Sequence, residues 1–237
     1  MKLKQSKLMF ILSGVAFALF ALFTILIMTV DVKVVGPDGV KVGFADVNTT
    51  IFNAFGTNHT AEVISDILGY LIIAFGIIFV GLFLYQWIKR KSLKKVNIEL
   101  FNLMIFYVVL GIIYVLFLFI KINYRPILVD GKLEASYPSS HTLLFCSITI
   151  VSMFYLIFFT KNNIKLLRIS QTIIGLVCLA GVVCRLLSGT HWATDIIGAI
   201  LLSGALAFAL LGTNFLFIEK NAAQQEKTVI QKEETQT

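Results

Sequence analysis

The chain has 237 residues, 58% of them hydrophobic and only 14% charged, with a formal net charge of +7. An ordinary soluble domain carries about 25% charged residues, so this composition excludes a protein that faces water all round. Residues 8–30, 67–88, 100–120, 142–160, 169–184 and 196–218 hold no Asp, Glu, Lys or Arg. A helix needs roughly 20 apolar residues to cross the hydrocarbon core. The fifth run is short only because Arg185 interrupts it, and extended to Leu187 it too is long enough. The expected fold is an all-α integral membrane bundle of six transmembrane helices, spanning about 8–30, 67–88, 100–120, 142–160, 169–187 and 196–218 within one domain of residues 1–220.

The first run is too long for the apolar region of a signal peptide and no small-residue cleavage site follows it, so it is expected to remain as a span. Lys2, Lys4 and Lys7 precede it. Lys89, Arg90, Lys91, Lys94 and Lys95 separate spans two and three, and Lys161, Lys165 and Arg168 separate spans four and five. The alternate loops mix both signs. By the positive-inside rule both termini are cytoplasmic, and the loops at about 31–66, 121–141 and 186–195 face outward. The expected location is a cell membrane, multi-pass. The cluster KRKSLKK could bind anionic lipid or nucleic acid, but its place between two spans makes topology the simpler account, and no nucleic-acid partner is expected.

The 31–66 loop opens with turn chemistry in GPDG, residues 36–39. NTTIFNAFG follows, and its Ile51, Phe52 and Phe55 share one face of a short helix that is expected to rest on the outer membrane surface. Asn48 and Asn58 sit in glycosylation acceptor patterns, which matter only in a eukaryotic secretory pathway. Cys146, Cys178 and Cys184 all fall within predicted spans and read as small packing residues rather than a disulfide framework. Lipid-facing bulk is the expected role of nearly all of the 21 Phe. The tail at 221–237, rich in Gln, Lys and Glu, reads as a solvated, disordered cytoplasmic end.

Polar residues gather at one membrane face. Lys121, Arg125 and Pro126 follow the third span in KINYRP; Pro138, Ser139, Ser140 and His141 open the fourth in PSSH; Arg185, His191 and Asp195 bracket the connection from fifth to sixth in CRLLSGTHWATD. Two Arg and one Lys supply up to three positive charges, and Arg offers a planar fork that matches phosphate oxygens. Ser139 and Ser140 are placed to cap the fourth helix while their amides point at an anion. His191 and Asp195 are four apart, so the carboxylate can accept from one imidazole nitrogen and leave the other as a free lone pair. A neutral, oriented imidazole beside bound phosphate is a nucleophile. His141, from another helix, is placed to protonate the leaving alkoxide.

Other chemistries fit less well. Two His and one Asp can ligate a metal, but neighbouring Arg and Lys repel a dication, so no metal or other cofactor is expected. No HExxH occurs, and neither Ser139 nor Ser140 sits in a GxSxG elbow. Trp192 reads as an interfacial anchor without a catalytic role.

KINYRP, PSSH and RLLSGTHWATD together resemble the three-part signature of the type 2 phosphatidic acid phosphatase superfamily: Lys then Arg-Pro, Pro-Ser-Gly-His, and Ser-Arg with His and Asp at fixed intervals. The third block fits in full spacing from Arg185 through His191 to Asp195. The resemblance implies a phosphohistidine at His191 polarised by Asp195, His141 as acid, and phosphate held without metal by Lys121, Arg125, Ser139, Ser140 and Arg185. Three departures stand out: Lys121 precedes Arg125 by three intervening residues where the pattern has six, Ser140 replaces Gly, and Cys184 replaces Ser. On a helix the four-residue step would still put Lys121 and Arg125 on one face.

The resemblance implies a lipid phosphate substrate drawn from the bilayer. An outward site suits undecaprenyl pyrophosphate, with phosphatidylglycerophosphate or phosphatidic acid as alternatives. A non-catalytic lipid-phosphate binder or transporter would use the same basic pocket, and transfer of the phosphoryl group to an acceptor other than water shares the covalent half-reaction. Gly198 and Gly204 would permit close helix packing within or between chains, which leaves the oligomeric state open.

Overall fold

A computed structural model describes residues 4–160 and 163–234; Lys2, Lys161 and the last three residues of the predicted tail lie outside them. Seven α-helices follow in order: α1 (Gln5–Thr29), α2 (Ala45–Phe55), α3 (His59–Arg90), α4 (Ile98–Phe119), α5 (Ser140–Thr160), α6 (Ile164–Leu187) and α7 (Ala193–Glu234). All but α2 are long and apolar enough to cross a membrane. Such helices satisfy their backbone groups internally, the condition for existing in hydrocarbon. Where two of them begin in loops, side chains take over: Asn58 Oδ1 accepts from Ala61 N and Asn163 Oδ1 from Leu166 N, each at 3.0 Å. Lys89 and Arg90 close the last turn of α3, where the helix dipole favours cations.

Inter-helix contacts fix the directions. Ser6 Oγ donates to Glu219 at 2.6 Å and Ser13 Oγ to the Ala205 carbonyl at 2.8 Å, so α1 runs antiparallel along α7. Ser203 Oγ bonds the Leu143 carbonyl and Phe154 meets Phe215 edge-on, so α5 runs parallel to α7. Phe145 explains how α3, α5 and α6 come so close. A Cβ on Gly69 of α3 would lie 2.5 Å from its ring, and one on Gly181 of α6 would lie 2.8 Å from it. The buried ring is held between two helices that have no side chain at the contact, and Ser65 Oγ then reaches the Gly181 carbonyl at 3.2 Å. At Gly198 a Cβ would stand 2.3 Å from the Tyr137 ring, so that glycine serves packing within the chain, while nothing from another helix approaches Gly204.

Three connections meet at one end of the bundle. Residues 30–58 form a two-stranded hairpin, β1 (Lys33–Val34) with antiparallel β2 (Lys41–Val42), around the predicted GPDG turn, and then α2. Asn123 from the 120–139 loop accepts from Gly43 N, Trp192 Nε1 donates to the Tyr124 carbonyl at 2.7 Å, and Asn58 N donates to the Ser188 carbonyl. Gly189 has φ +68° and a Cβ there would stand 2.3 Å from the Gly56 carbonyl oxygen, so only glycine fits where these two loops touch.

Several expectations change. Helix α7 continues through Glu234, where a disordered tail was expected from residue 221: Ala, Gln, Glu and Lys are good helix formers, and extending an existing helix needs no new nucleus. Helix α2 does not merely rest on a membrane surface. Its Asn48 is buried and donates to Thr194 Oγ1 at 2.9 Å, and Phe52 packs on Trp192 at 5.7 Å between ring centroids. Neither acceptor pattern is idle, since Asn48 is locked in this network and Asn58 caps α3. Phe79, Phe106 and Phe145 are buried, and most exposed large side chains are Ile, Leu and Val. Those three rings fill interior gaps, while Phe10, Phe17, Phe55, Phe101 and Phe119 remain exposed. Trp192 is 2% exposed, a strut between the 120–139 loop and α2 rather than an interfacial anchor.

Candidate active site

His191 lies in the short connection before α7, 3% exposed. Its Nδ1 stands 3.1 Å from the Ser136 carbonyl oxygen and 3.7 Å from Asp195 Oδ2. A carbonyl only accepts, so Nδ1 carries the proton and Nε2 keeps its lone pair. Nε2 is buried without a hydrogen-bond partner among the described residues. The sequence reading gave the orienting role to Asp195 alone; in the structure the Ser136 carbonyl makes the shorter contact. Asp195, fully buried, ties the loop together: its Oδ2 accepts from Trp192 N at 2.9 Å and its carbonyl accepts from Ser139 N at 3.0 Å. The side chains of Ser136 and Asn123 face the same carboxylate.

Burial, with Arg125 and Arg185 nearby, holds the His191 imidazole well below its ordinary value of 6.5. The sign is that of a base disfavoured in its charged form: the ring stays neutral at neutral pH and takes a proton only in acid. A ¹⁵N imidazole titration of the detergent-solubilised protein, assigned against His191→Ala, is expected to show this ring titrating well under 6.5; titration at or above 6.5 would contradict the buried, cation-flanked setting.

On the other side stand Arg185 and His141. Arg185, near the end of α6, is buried; its Nη2 bonds Asp66 Oδ1 of α3 at 2.5 Å, its Nη1 reaches Thr190 Oγ1 at 3.4 Å, and its Nε has no partner among the described residues. His141, in the first turn of α5, has Nε2 at 3.3 Å from the same Asp66 oxygen, and its Nδ1 is buried and unpartnered.

The 120–139 loop supplies the third side. A cavity of about 300 Å³ is lined by Lys121, Arg125, Glu134, Ser140 and His191, with Tyr114, Phe117, Leu118 and Leu143 as its apolar wall. Helix α4 ends at Phe119, so Lys121 and Arg125 are not on one helical face as their spacing suggested. An extended loop carries both to the same cavity instead. Arg125 is anchored by Glu134, with Nε to Oε2 at 3.2 Å and its amide donating to the Glu134 carbonyl at 3.0 Å. Ser139 is fully buried, and its Oγ turns toward Thr142 N and Oγ1. Ser139 therefore caps α5, which leaves the amides of Ser140 and His141 at the open, positive end of that helix. Among the described residues no group of three or more His, Cys, Asp or Glu side chains gathers as metal ligands would.

Residues 119–218 match the family model of the PAP2 superfamily, and that segment contains every cavity-lining cation, both site histidines and Asp195. Residues 119–218 are thus a PAP2 superfamily segment. No curated protein matches its sequence. Among solved structures it is similar to the first transmembrane PAP2-type phosphatidylglycerolphosphate phosphatase from Bacillus subtilis, at 16% identity and a TM-score of 0.60, over 86% of this chain and 96% of that one. At that identity the likeness speaks for the fold alone, a multi-pass helical bundle.

Two PAP2-site contributors escaped the motif reading. Ser136 acts through its carbonyl, which any residue type provides. Asp66 sits 119 residues from Arg185 in sequence, at the edge of a charge-free run on the predicted outer side. That position was its one visible signal.

Proposed function

We propose that this PAP2 protein removes phosphate from a membrane lipid phosphate or pyrophosphate through a phosphohistidine at His191, without a metal ion. The carrying observation is the His191 ring: one nitrogen tied to Ser136, the other buried with a free lone pair, two arginines beside it. Lys121, Arg125, Arg185 and the open amides of α5 hold the phosphoryl oxygens and neutralise charge in the transition state. His191 Nε2 attacks phosphorus, the bond from phosphorus to the leaving oxygen breaks, and that oxygen takes a proton from His141. Water, giving its proton to His141, then cleaves the phosphorus–nitrogen bond and restores the ring.

The apolar wall of Tyr114, Phe117, Leu118 and Leu143 supports a lipid substrate, whose chain would lie along α4 and α5 while the head reaches the cations. The distribution of Lys and Arg supports an outward site and cytoplasmic termini. With that orientation we read undecaprenyl pyrophosphate as the substrate. A second reading, phosphatidylglycerophosphate, is favoured by the activity named for the Bacillus subtilis structure.

A panel of undecaprenyl pyrophosphate, phosphatidylglycerophosphate and phosphatidic acid, assayed for phosphate release in detergent with chelator, separates these readings. Undiminished release in chelator is expected, highest with the pyrophosphate. Loss of activity on chelation would rule out the mechanism above, and preference for phosphatidylglycerophosphate would select the second reading.

A further inference from the structure

Helix α3 lies outside the segment that the family model matches, yet it places a carboxylate inside the site. One oxygen of Asp66 accepts from Arg185 Nη2 at 2.5 Å and stands 3.3 Å from His141 Nε2. Asp66 is half-buried, so its charge is only partly screened by water.

Such a placement has a cost. A fixed negative charge beside a phosphate pocket repels the phosphate it must hold. The benefit is found at His141. Arg185 from α6, His191 from the connection before α7 and Arg125 from the 120–139 loop surround this ring, so a second proton on it needs a carboxylate alongside. Among the described residues Asp66 is the one acid in ion-pair contact with it. An acid for the leaving oxygen must carry that second proton when phosphate is bound. With Nε2 turned to Asp66, a proton on Nδ1, which has no partner among the described residues, is the one left to give.

We propose that Asp66 is a positioning residue of the phosphatase, holding His141 oriented and supporting a second proton on its ring as the acid while it anchors Arg185. The proposal rests on the reading above in which His141 protonates the leaving oxygen. A carboxylate present only to neutralise the buried Arg185 would act on phosphate binding alone, whatever the leaving group.

The test compares the full-length protein with Asp66→Asn on two substrates: the best lipid phosphate of the panel, and p-nitrophenyl phosphate, whose leaving group departs without a proton. General acids contribute about 10²- to 10⁴-fold. The expected result is a loss of about 10²-fold or more in kcat/KM on the lipid, a several-fold smaller loss on the aryl ester, and an alkaline limb of the lipid profile moved to lower pH. Asp66→Glu, which keeps the charge, should keep the alkaline limb near its wild-type position. In a His141→Gln background, Asp66→Asn should add little further loss on the lipid, because both act on one proton. Equal losses on the two substrates with an unmoved alkaline limb, or full additivity with His141→Gln, would overturn the proposal. If the wild-type protein releases phosphate from neither substrate, it is the phosphatase reading that fails, and this role fails with it.

Discussion

His191→Ala is expected to lower kcat for phosphate release by about 10⁴-fold or more, the scale of loss when a covalent nucleophile is removed from a site whose other groups remain. His191 Nδ1 is committed to the Ser136 carbonyl with the Asp195 carboxylate behind it, and Nε2 is buried without a partner. A histidine kept only for packing would have both nitrogens satisfied, because a buried orphan acceptor costs about 1–3 kcal/mol. Ser139, the other nucleophile type in the motifs, turns its hydroxyl into the first turn of α5. Binding should survive the change, since Arg125, Arg185 and Lys121 are untouched. Vanadate protection from thermal unfolding, measured on wild type and variant, reports that binding without turnover. Acid-labile, base-stable radiolabel on the wild-type protein, absent from His191→Ala, would identify the intermediate as a phosphoramidate. Turnover within tenfold of wild type in a folded His191→Ala would remove His191 from the chemistry and favour a different nucleophile. A wild-type protein that binds vanadate but never turns over would instead favour the non-catalytic binder.

Arg185→Lys, a change that conserves charge, is expected to cost about 10²- to 10³-fold in kcat/KM, the range for removing one preorganised transition-state donor. The guanidinium at the end of α6 makes two contacts at once, Nη2 to Asp66 and Nη1 to Thr190, which leaves its buried Nε–H free to donate. A planar fork can divide its donors this way, and a lysine ammonium on its flexible stem cannot hold the same three directions. At 2% exposure the group is also beyond the reach of bulk solvent, so water cannot replace the missing donor. Vanadate inhibition should weaken in parallel with kcat/KM. A large loss of activity with unchanged vanadate inhibition would mean that Arg185 orders the fold and does not touch the phosphoryl group.

The parts of this protein legible in the sequence are those with a local signature. Six charge-free runs gave the spans, and the helices found at Gln5–Thr29, His59–Arg90, Ile98–Phe119, Ser140–Thr160, Ile164–Leu187 and Ala193–Glu234 cover them. His191 and Asp195 were legible because their spacing crosses one short connection, and Arg125 and Ser140 because each stands at the mouth of a span. Lys121 reached the cavity for a reason other than the one expected, through an extended loop rather than a shared helical face. The reading failed where a residue's surroundings come from distant chain. Trp192 has the composition of a membrane anchor, and only the fold of the 120–139 loop and α2 over it makes it a buried strut. Phe145, read with the other phenylalanines as lipid-facing bulk, turned inward because Gly69 and Gly181 left a slot of one ring's thickness.

The sequence by itself determined which segments cross the membrane, which of their ends gather the cations, and which imidazole has a carboxylate four residues away. Transfer from water to hydrocarbon is additive along a chain, so it needs no knowledge of neighbours. Tertiary structure alone decided that Asp66 meets Arg185 and His141, and that a backbone carbonyl at Ser136 orients the His191 ring. Those are short-range polar contacts whose energy depends on ångström distances between helices, and close packing of several helices around Phe145 and Tyr137 sets those distances.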